Sequence, residues 1–151
     1  MIHTVLGELL KGKGFHIVTG KPTDTVYDCV VLMKESRIGC LLIMEEGRIV
    51  GIFSERDVLM KIVAQKLDPE KTKVSEVMNR DVICVDPDTT IEEAMSIMTE
   101  KRIRHLPIME DSVLMGMISV GDLTKWLSTQ HRSHVQEIND LIHYINGGYS
   151  L

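Results

Sequence analysis

The sequence GIFSERD at residues 51–57 decides the fold, because the chain contains the same pattern twice. Sixty-five positions later, residues 116–122 carry GMISVGD. Each copy is an apolar run closed by Ser-x-x-Asp, and each leads into a segment with helical periodicity. The match continues backward without a gap to Pro22 and Pro87. A repeat of this length predicts two copies of one supersecondary unit, neither of which buries its apolar face alone.

Residues of both polar and apolar type recur in register between the two copies. The pairs include Thr25/Thr90, Met33/Met98, Arg37/Arg102, Ile38/Ile103, Leu41/Leu106, Gly51/Gly116, Ser54/Ser119 and Asp57/Asp122.

Composition limits the class of protein. The 151 residues, 44% of them hydrophobic, suffice for one compact domain or two packed halves. Aromatic residues make up only 4% while Met reaches 10, so the core is aliphatic and adaptable. The formal net charge of -5 argues against a nucleic-acid partner, because such domains present a basic face.

Cysteine usage and hydropathy predict an intracellular protein. Cys29, Cys40 and Cys84 are odd in number and form no Cys-x-x-Cys, so neither a disulfide framework nor a zinc site is expected, and all three are interpreted as reduced and structural. We see no signal-peptide pattern and no apolar run of about 18 residues. The expectation is a cytoplasmic chain with no membrane partner.

Helix signals occur at the same place in both copies. Thr25 has the character of an N-cap with Asp28 three residues on, and Thr90 has Glu93 at the same spacing. The apolar residues that follow lie at i, i+3, i+4 and i+7, which predicts one buried helical face in each copy.

Two short apolar runs follow each helix and predict a hairpin of buried strands. They cover residues 40–44 and 49–53 in the first copy and 105–109 and 114–118 in the second. Entering strands are expected at 15–19 and 82–85. Pro107 cannot donate to a ladder, so its strand is expected at an edge or irregular there.

Helices close each copy and flank the repeat. Residues 57–65 are predicted as a helix with Val58, Leu59, Ile62 and Val63 inward. A short helix is expected at 74–78. The last helix begins at Asp122 and extends over 134–145 with an apolar stripe, and Gly147-Gly148 end it.

These elements give five segments. They are an N-terminal helical segment (1–14), repeat 1 (15–66), a polar linker (67–73), repeat 2 (74–130) and a C-terminal helix extension (131–151). The predicted fold class is α/β (α+β), with two βαββα units, sheets packed face to face, helices outside, and pseudo-twofold symmetry.

The duplicated Gly-h-h-Ser-x-x-Asp segments, the Thr after each Pro, and the run RIRHLP at 102–107 resemble a tandem CBS domain pair, also called a Bateman module. The resemblance covers about residues 5 to 130, and only the full duplicated pattern is specific. It implies a stand-alone CBS-pair protein with clefts between the repeats. It also implies adenine nucleotides or adenosyl compounds as ligands: AMP, ADP, ATP, NAD or S-adenosylmethionine.

The resemblance also assigns roles to the closing motifs. Asp57 and Asp122 are implied to take ribose hydroxyls, and Ser54 and Ser119 to face the phosphate. A carboxylate accepts strong hydrogen bonds from a vicinal diol, and a helix N-terminus favours an anion. Ser-x-x-Asp at a helix start is also a capping motif by itself, so this structural alternative stays open.

The two copies differ in their cationic residues. Arg56 aligns with Gly121, and Gly39-Cys40 aligns with Arg104-His105, so the clefts are expected to differ in affinity for phosphate. The resemblance implies that Arg104 and His105 reach the phosphate, with Arg56 a weaker candidate. The alternatives are surface ion pairs for the arginines and a buried strand histidine.

Other candidates are assigned more weakly. Arg37 and Arg102 are expected to support helix-to-sheet packing. Thr19, Val85 and Ile103 match positions that line the base in the family, and ordinary core packing is the alternative favoured for each of them. His131 and His134 lie three apart, which we interpret as a solvated helix face, and no metal site is predicted.

The leading hypothesis is a non-catalytic regulatory module for energy sensing that binds an adenine nucleotide and requires no cofactor. Its expected partners are the nucleotide, a second copy through the outer helices, and an unidentified regulated protein. The alternative is a dimeric assembly scaffold with clefts too degenerate to bind. An enzyme would need a nucleophile with a base, a metal cluster or a phosphate-binding glycine loop, and the sequence offers none.

Overall fold

The computed structural model describes residues 4–13 and 17–145. Five strands, five α-helices and two further helical segments follow one another along these ranges. The strands are β1 (Thr19–Gly20), β2 (Cys40–Glu45), β3 (Arg48–Ser54), β4 (His105–Glu110) and β5 (Val113–Ser119). The helices are α1 (Leu6–Lys13), α2 (Val26–Ser36), α3 (Glu55–Asp57), α4 (Ile91–Lys101) and α5 (Val120–Ile145). The two further segments are a π-helix (Val58–Val63) that continues α3 and a 3-10 turn (Val74–Glu76).

The two repeats fold into separate small sheets with the same strand register. β2 and β3 pair antiparallel with Cys40 opposite Ser54, and β4 and β5 pair with His105 opposite Ser119. Both hairpins carry a register irregularity at the same place, after Ile43 and after Ile108. The mixed helix-and-strand fold with two sheets, one in each repeat, confirms the predicted class.

Local capping places the first helix of each repeat as predicted. The Thr25 hydroxyl accepts a hydrogen bond from the Asp28 backbone N–H at 3.1 Å, and Thr90 accepts one from Glu93 at 3.2 Å. Both helices end at an arginine in the left-handed conformation, Arg37 with φ 55° and Arg102 with φ 53°. The two arginine side chains are exposed, so the prediction that they support packing was wrong.

The entering strands are much shorter than predicted. β1 has two residues, parallel to β2, and residues 15 and 16 of the predicted strand lie outside the described part of the chain. In repeat 2 only Val85 forms a bridge, parallel to Ile108, so the strand predicted at 82–85 was wrong. Val85 donates to the Pro107 carbonyl at 3.0 Å. The backbone nitrogen of Pro107 therefore faces the Val85 side of β4 and not β5. Because β4 is barely paired on that side, the proline costs the sheet no hydrogen bond.

Each repeat is covered by the segment that precedes the other repeat. Leu6 donates from its backbone N–H to the Thr89 carbonyl at 2.8 Å, and Val74 donates to the Asp24 carbonyl at 2.8 Å. Residues 4–10 thus lie on repeat 2, and residues 72–78 lie on repeat 1. This exchange was not predicted, and it explains why neither repeat is complete alone.

The buried residues form two clusters, one in each repeat. In the first, Val74, Val77 and Met78 of the exchanged segment pack with residues of α2, β2 and β3. In the second, Leu6 and Leu10 of α1 pack with residues of α4, β4 and β5. Because each cluster contains residues of the exchanged segment, the hydrophobic effect holds the two repeats together.

The helix predicted at 57–65 is largely a π-helix. Ile62 is buried and Val58 is half-buried, as predicted. Leu59 and Val63 are exposed, so their predicted inward orientation was wrong. The prediction used a period of 3.6 residues, whereas a π-helix turns more slowly and moves later residues away from the core.

α5 continues without a break from the closing motif of repeat 2 to Ile145. The predicted glycine end lies outside the described residues, as do the side chains of the predicted apolar stripe. No helix in the described ranges has both the length and the apolar character that a bilayer span requires.

Candidate functional site

Both Ser-x-x-Asp motifs form capping boxes where a strand passes into a helix. Asp57 Oδ2 accepts hydrogen bonds from the Ser54 backbone N–H at 2.9 Å and from its hydroxyl at 3.1 Å. Asp122 Oδ2 accepts the equivalent bonds from Ser119 at 2.8 and 2.9 Å. The structural interpretation of the motif as a cap is therefore correct, and any ligand role would be additional to it.

A lysine pairs with each motif carboxylate, but from different places in the chain. Lys61, one turn further along the same helix, lies 3.0 Å from Asp57 Oδ1 and donates to the Val77 carbonyl at 2.7 Å. Lys13, at the end of α1, lies 2.6 Å from Asp122 Oδ2 and donates to the Met117 carbonyl at 2.9 Å. Both carboxylates thus carry a cap and an ion pair, and neither extends into bulk solvent, since their side chains are 17% and 28% exposed.

The environment of Asp122 favours its charged form. Partial burial raises the pKa of the carboxyl group, but hydrogen bonds from Lys13 and from the Ser119 backbone and hydroxyl outweigh it and lower the pKa overall. Asp122 is consequently ionised at neutral pH and attached to α1.

A cleft of about 910 Å³ opens between the two repeats. Repeat 1 contributes the start of β2 and the closing motif, and repeat 2 contributes the segment before β4 together with the end of β5. Its lining residues are Gly39, Cys40, Ile52, Ser54, Glu55, Arg56, Asp57, Leu59, Asn79, Asp81, Val82, Ile83, Arg102, Ile103, Arg104, His105, Pro107, Ser119, Val120 and Gly121.

Charges of both signs line this cleft. Three guanidinium groups belong to Arg56, Arg102 and Arg104. Three carboxylates belong to Glu55, Asp57 and Asp81. A site with carboxylates and guanidinium groups side by side can bind a molecule that carries both hydroxyl donors and an anionic or carboxylate group.

Seven of the ten predicted site residues line the cleft. They are Ser54, Arg56, Asp57, Ile103, Arg104, His105 and Ser119. Asp122, Thr19 and Val85 do not: Asp122 is paired with Lys13, Thr19 is exposed on β1, and Val85 packs against the core of repeat 2. These positions describe the geometry, and the binding roles of all ten stay predictions.

His105 lies at the start of β4, where charged groups of both repeats influence the pKa of its imidazole. Burial lowers the pKa of its imidazole, as do Arg104 and Lys13, while Asp122 and Glu55 raise it by less. His105 is therefore neutral at pH 7 and can donate one hydrogen bond and accept another.

Sequence reasoning missed part of the lining. Arg102 reaches the cleft from the left-handed end of α4, and Asn79 and Asp81 reach it from the irregular segment of repeat 2 that precedes α4. Glu55 lies against Gly39, since a Cβ at Gly39 would stand 2.5 Å from its carboxylate oxygen. The recurrence of Arg37 and Arg102 was the available signal, but the sequence could not show that the side chain turns outward.

The thiols of the described residues have no activated character. Burial and then Asp57 raise the pKa of Cys40 to about 12, and burial with Asp24 and Asp28 raises that of Cys29 to about 11. Both thiols are protonated at neutral pH and behave as small core groups. In the described ranges no cluster of three metal-ligating side chains occurs.

Comparison with known proteins identifies the repeats. The model of the CBS domain matches this chain twice, at residues 15–64 and 74–129. The curated "CBS domain-containing protein CBSX3, mitochondrial" of Arabidopsis thaliana is 36% identical over an alignment 155 positions long, gaps included, that covers 97% of this chain and 74% of that protein.

Solved structures have the same fold. A putative signal-transduction protein with CBS domains from Burkholderia ambifaria superposes with a TM-score of 0.79 at 40% identity, covering 82% of this chain and 93% of that one. The CBS domain pair of protein MJ0100, solved in complex with 5-methylthioadenosine and S-adenosyl-L-methionine, superposes with a TM-score of 0.75. It covers 85% of this chain and 99% of that one, at 21% identity.

Proposed function

This chain belongs to the CBS domain family, and we propose that it is a non-catalytic regulatory module that binds an adenine nucleotide or related adenosyl compound in the cleft between its repeats. AMP, ADP, ATP, NAD and S-adenosylmethionine are the candidate ligands. Binding would alter the packing between the repeats or between copies of the chain, because a ligand shifts such an equilibrium by its differential affinity for the two states.

The observation that carries the proposal is the cleft itself. Its volume of about 910 Å³ suits a nucleoside with a phosphate or amino-acid tail. Asp57 Oδ1, which also pairs with Lys61, can accept a further hydrogen bond from a ribose hydroxyl. The guanidinium groups of Arg56, Arg102 and Arg104 can pair with an anionic tail of the ligand. The MJ0100 pair, solved with two adenosyl compounds, illustrates that this fold accommodates such molecules.

The described residues favour binding over catalysis. Both buried thiols are protonated, and His105 has no hydroxyl or thiol partner among the hydrogen bonds of the described residues. The serine hydroxyls of the cleft donate to carboxylates as parts of helix caps, which supports a structural role for these hydroxyls rather than that of an activated nucleophile.

The first test is a search for ligands. Small molecules released from the purified protein are identified by mass spectrometry, and thermal unfolding is then followed with each candidate ligand. At one hundred times Kd, a ligand adds about 2.7 kcal/mol to the free energy of unfolding. We expect a rise in Tm of about 5–10 °C. A chain that releases no adenosyl compound and shows no shift with any candidate at millimolar concentration does not have this function.

The second test compares the two motif carboxylates. Asp57→Ala and Asp122→Ala each remove a capping box, so each lowers stability by about 0.5–2 kcal/mol. Only Asp57 lines the cleft, so Asp57→Ala should weaken ligand binding by about 1.5–3 kcal/mol while Asp122→Ala changes it little. Titration calorimetry below the melting range of both variants measures this difference. Equal loss in the two variants would contradict the assignment of the ligand contact to Asp57 alone.

A second candidate function is a homodimeric assembly scaffold. The observation that favours it is a set of large apolar side chains exposed on the outer helices, namely those of Tyr27, Met60, Val63 and Met95. We propose a homodimer through the outer helices at 25–36, 57–65 and 90–101, and size-exclusion chromatography with light scattering tests it. An unidentified regulated protein and a cytoplasmic location stay predictions from the sequence.

A further inference from the structure

His105 is a titratable side chain at the place where the two repeats meet. It lies opposite Ser119 in the β4–β5 hairpin, and both residues line the cleft between the repeats. Its counterpart sixty-five positions earlier is Cys40, and burial and then Asp57 raise the pKa of that thiol to about 12. Of these two equivalent strand positions, only the one in repeat 2 therefore carries a group that can change charge near neutral pH.

Charged groups from four parts of the chain act on His105. Burial is the largest influence and lowers the pKa of the imidazole. Arg104, which precedes it, and Lys13, at the end of α1, lower the pKa further, whereas Asp122 in the first turn of α5 and Glu55 at the start of α3 raise it by less. Together they leave the imidazole neutral in the free chain at pH 7.

The fixed charges of the cleft favour an anion over a cation. Lys61 lies 3.0 Å from Asp57 Oδ1 and compensates the charge of this carboxylate. Among the lining residues, two carboxylates then remain, those of Glu55 and Asp81, against three guanidinium groups. The guanidinium groups belong to Arg56, Arg102 and Arg104. An anion bound at these groups would also favour a charged His105, since an opposite charge stabilises the charged form of a titratable side chain.

We propose that the cleft selects adenosine compounds with a phosphate at the 5′ position over S-adenosylmethionine, and that His105 takes up a proton from the solvent when the phosphate binds. The ring nitrogen that is unprotonated in the free chain gains this proton, and both ring nitrogens then donate hydrogen bonds. The inference rests on the proposed nucleotide-binding function and deepens it by naming the class of ligand.

The substituent on the 5′ carbon separates the candidate ligands. AMP, ADP, ATP and NAD carry a phosphate there, and a phosphate monoester such as that of AMP holds about −1.5 to −2 charges near pH 7. S-Adenosylmethionine carries a sulfonium cation on the same carbon. Guanidinium groups attract the phosphate and repel the sulfonium, and a protonated His105 would increase both effects.

Titration calorimetry of the full chain with AMP measures the proton directly. At pH 7 in PIPES and in ACES, which differ in ionisation enthalpy, the difference in observed heat gives the number of protons taken up per AMP bound. We expect the wild type to take up roughly half a proton or more beyond His105→Gln, whose value corrects for the ionisation of AMP itself. His105→Cys copies the residue of repeat 1 and replaces His105→Gln if thermal unfolding shows that variant to be unstable.

The affinity for AMP should depend on pH with a defined sign. A group that gains a proton on binding contributes affinity that is present at low pH and is lost as pH rises through its pKa in the complex. We expect the Kd of the wild type for AMP to rise at least about threefold between pH 7 and 8.5, and that of His105→Gln to change by less than about twofold.

Two lysines of α1 provide a matched comparison. Lys13→Met removes a cation that disfavours the charged imidazole, so the loss of affinity should move to higher pH. Lys11 is exposed and has no ion pair among the described residues, so Lys11→Met should leave the pH profile in place. A histidine that only packs against the strand would give the same profile in both variants.

Selection between ligands is measured by the same calorimetry. At pH 7 we expect the Kd for S-adenosylmethionine to be at least about tenfold higher than that for AMP.

Each outcome decides the inference. Proton uptake that depends on His105, together with weaker binding of S-adenosylmethionine, supports it. AMP binding without this uptake, equal or tighter binding of S-adenosylmethionine, or binding of another candidate but not of AMP overturns it and leaves the proposed function intact. If the wild-type chain binds none of the five candidate ligands, both are overturned.

Discussion

At the residue scale, the two closing motifs differ although their local chemistry is the same. Both aspartates cap their helix through Oδ2. Asp57 receives its lysine from four residues further along the same helix, whereas Asp122 receives Lys13 from a segment 109 residues away. One ion pair is local, and the other joins α1 to repeat 2.

The Lys13–Asp122 pair should make stability depend on pH in a defined direction. The pKa of Asp122 is lowered in the folded chain, so the stabilisation is fully present above the ordinary pKa near 3.8 and is lost as pH falls through the lowered value. Lys13→Met should move the pKa of Asp122 upward and reduce the free energy of unfolding at pH 7 by less than about 1 kcal/mol. NMR titration of the Asp122 carboxyl carbon and urea unfolding at pH 7 measure the two effects.

The control for this prediction is Lys11→Met. Lys11 lies on the same helix, is exposed, and has no ion pair among the described residues. It should change neither quantity. An Asp122 pKa that is the same in wild type and Lys13→Met would show that Ser119 alone lowers it.

At the scale of elements, the two exchanged segments, residues 4–10 and 72–78, pack so closely on the strands that two strand positions have room only for glycine. Gly51 on β3 faces Met78, and Gly116 on β5 faces Leu10. Each glycine lies where an ideal Cβ would overlap the side chain of the covering segment. The recurrence of glycine at these positions therefore reflects the exchange, which sequence periodicity does not reveal.

Replacing either strand glycine should destabilise the fold. In Gly116→Ala, the new methyl group would stand 2.5 Å from Leu10 Cδ2, and because Leu10 is buried, its side chain or the helix that carries it has to shift. We expect Gly51→Ala and Gly116→Ala each to cost about 1–3 kcal/mol in urea unfolding. Gly12→Ala is the control, because no atom lies within 4 Å of its Cβ and alanine should stabilise α1 by about 0.5–1 kcal/mol. Unchanged stability in both strand variants would contradict the close approach.

At the scale of the whole molecule, the exchange makes two similar halves into one interdependent structure. α1 completes repeat 2, although repeat 1 lies between them in the chain, and residues 72–78 complete repeat 1. The cleft then forms from both repeats at once. Any change in their relative packing would alter the cleft, which is the physical basis for the proposed regulation.

The exchange predicts which repeat loosens when a covering residue is truncated. Leu6 and Val74 are both fully buried at equivalent positions of the two covering segments. Leu6→Ala should cost about 2–5 kcal/mol, and Val74→Ala somewhat less. In native-state hydrogen exchange, Leu6→Ala should increase the exchange rates of the backbone amides of α4, β4 and β5 most strongly. Val74→Ala should do the same for the amides of α2, β2 and β3. The prediction is wrong if Leu6→Ala mainly loosens repeat 1.

Local signals made much of the fold predictable. The threonine caps, the paired apolar runs and the Ser-x-x-Asp boxes each depend on residues within a few positions of one another, and the structure contains all of them. The site prediction brought together Ser54, Arg56, Asp57, Arg104 and His105, which the structure places around one cleft. It failed where a period of 3.6 residues was applied to the π-helix, since helix type depends on packing.

The amino-acid sequence by itself determined that this protein is a duplication with capped helices and paired strands, because hydrogen bonding and side-chain alternation act between near neighbours. Only the tertiary structure decided that each exchanged segment packs on the other repeat, that Lys13 forms an ion pair with Asp122, and that Arg102 lines the cleft. Those contacts join residues far apart in the chain. They depend on the path of the backbone through the whole molecule, for which no short stretch carries a signal.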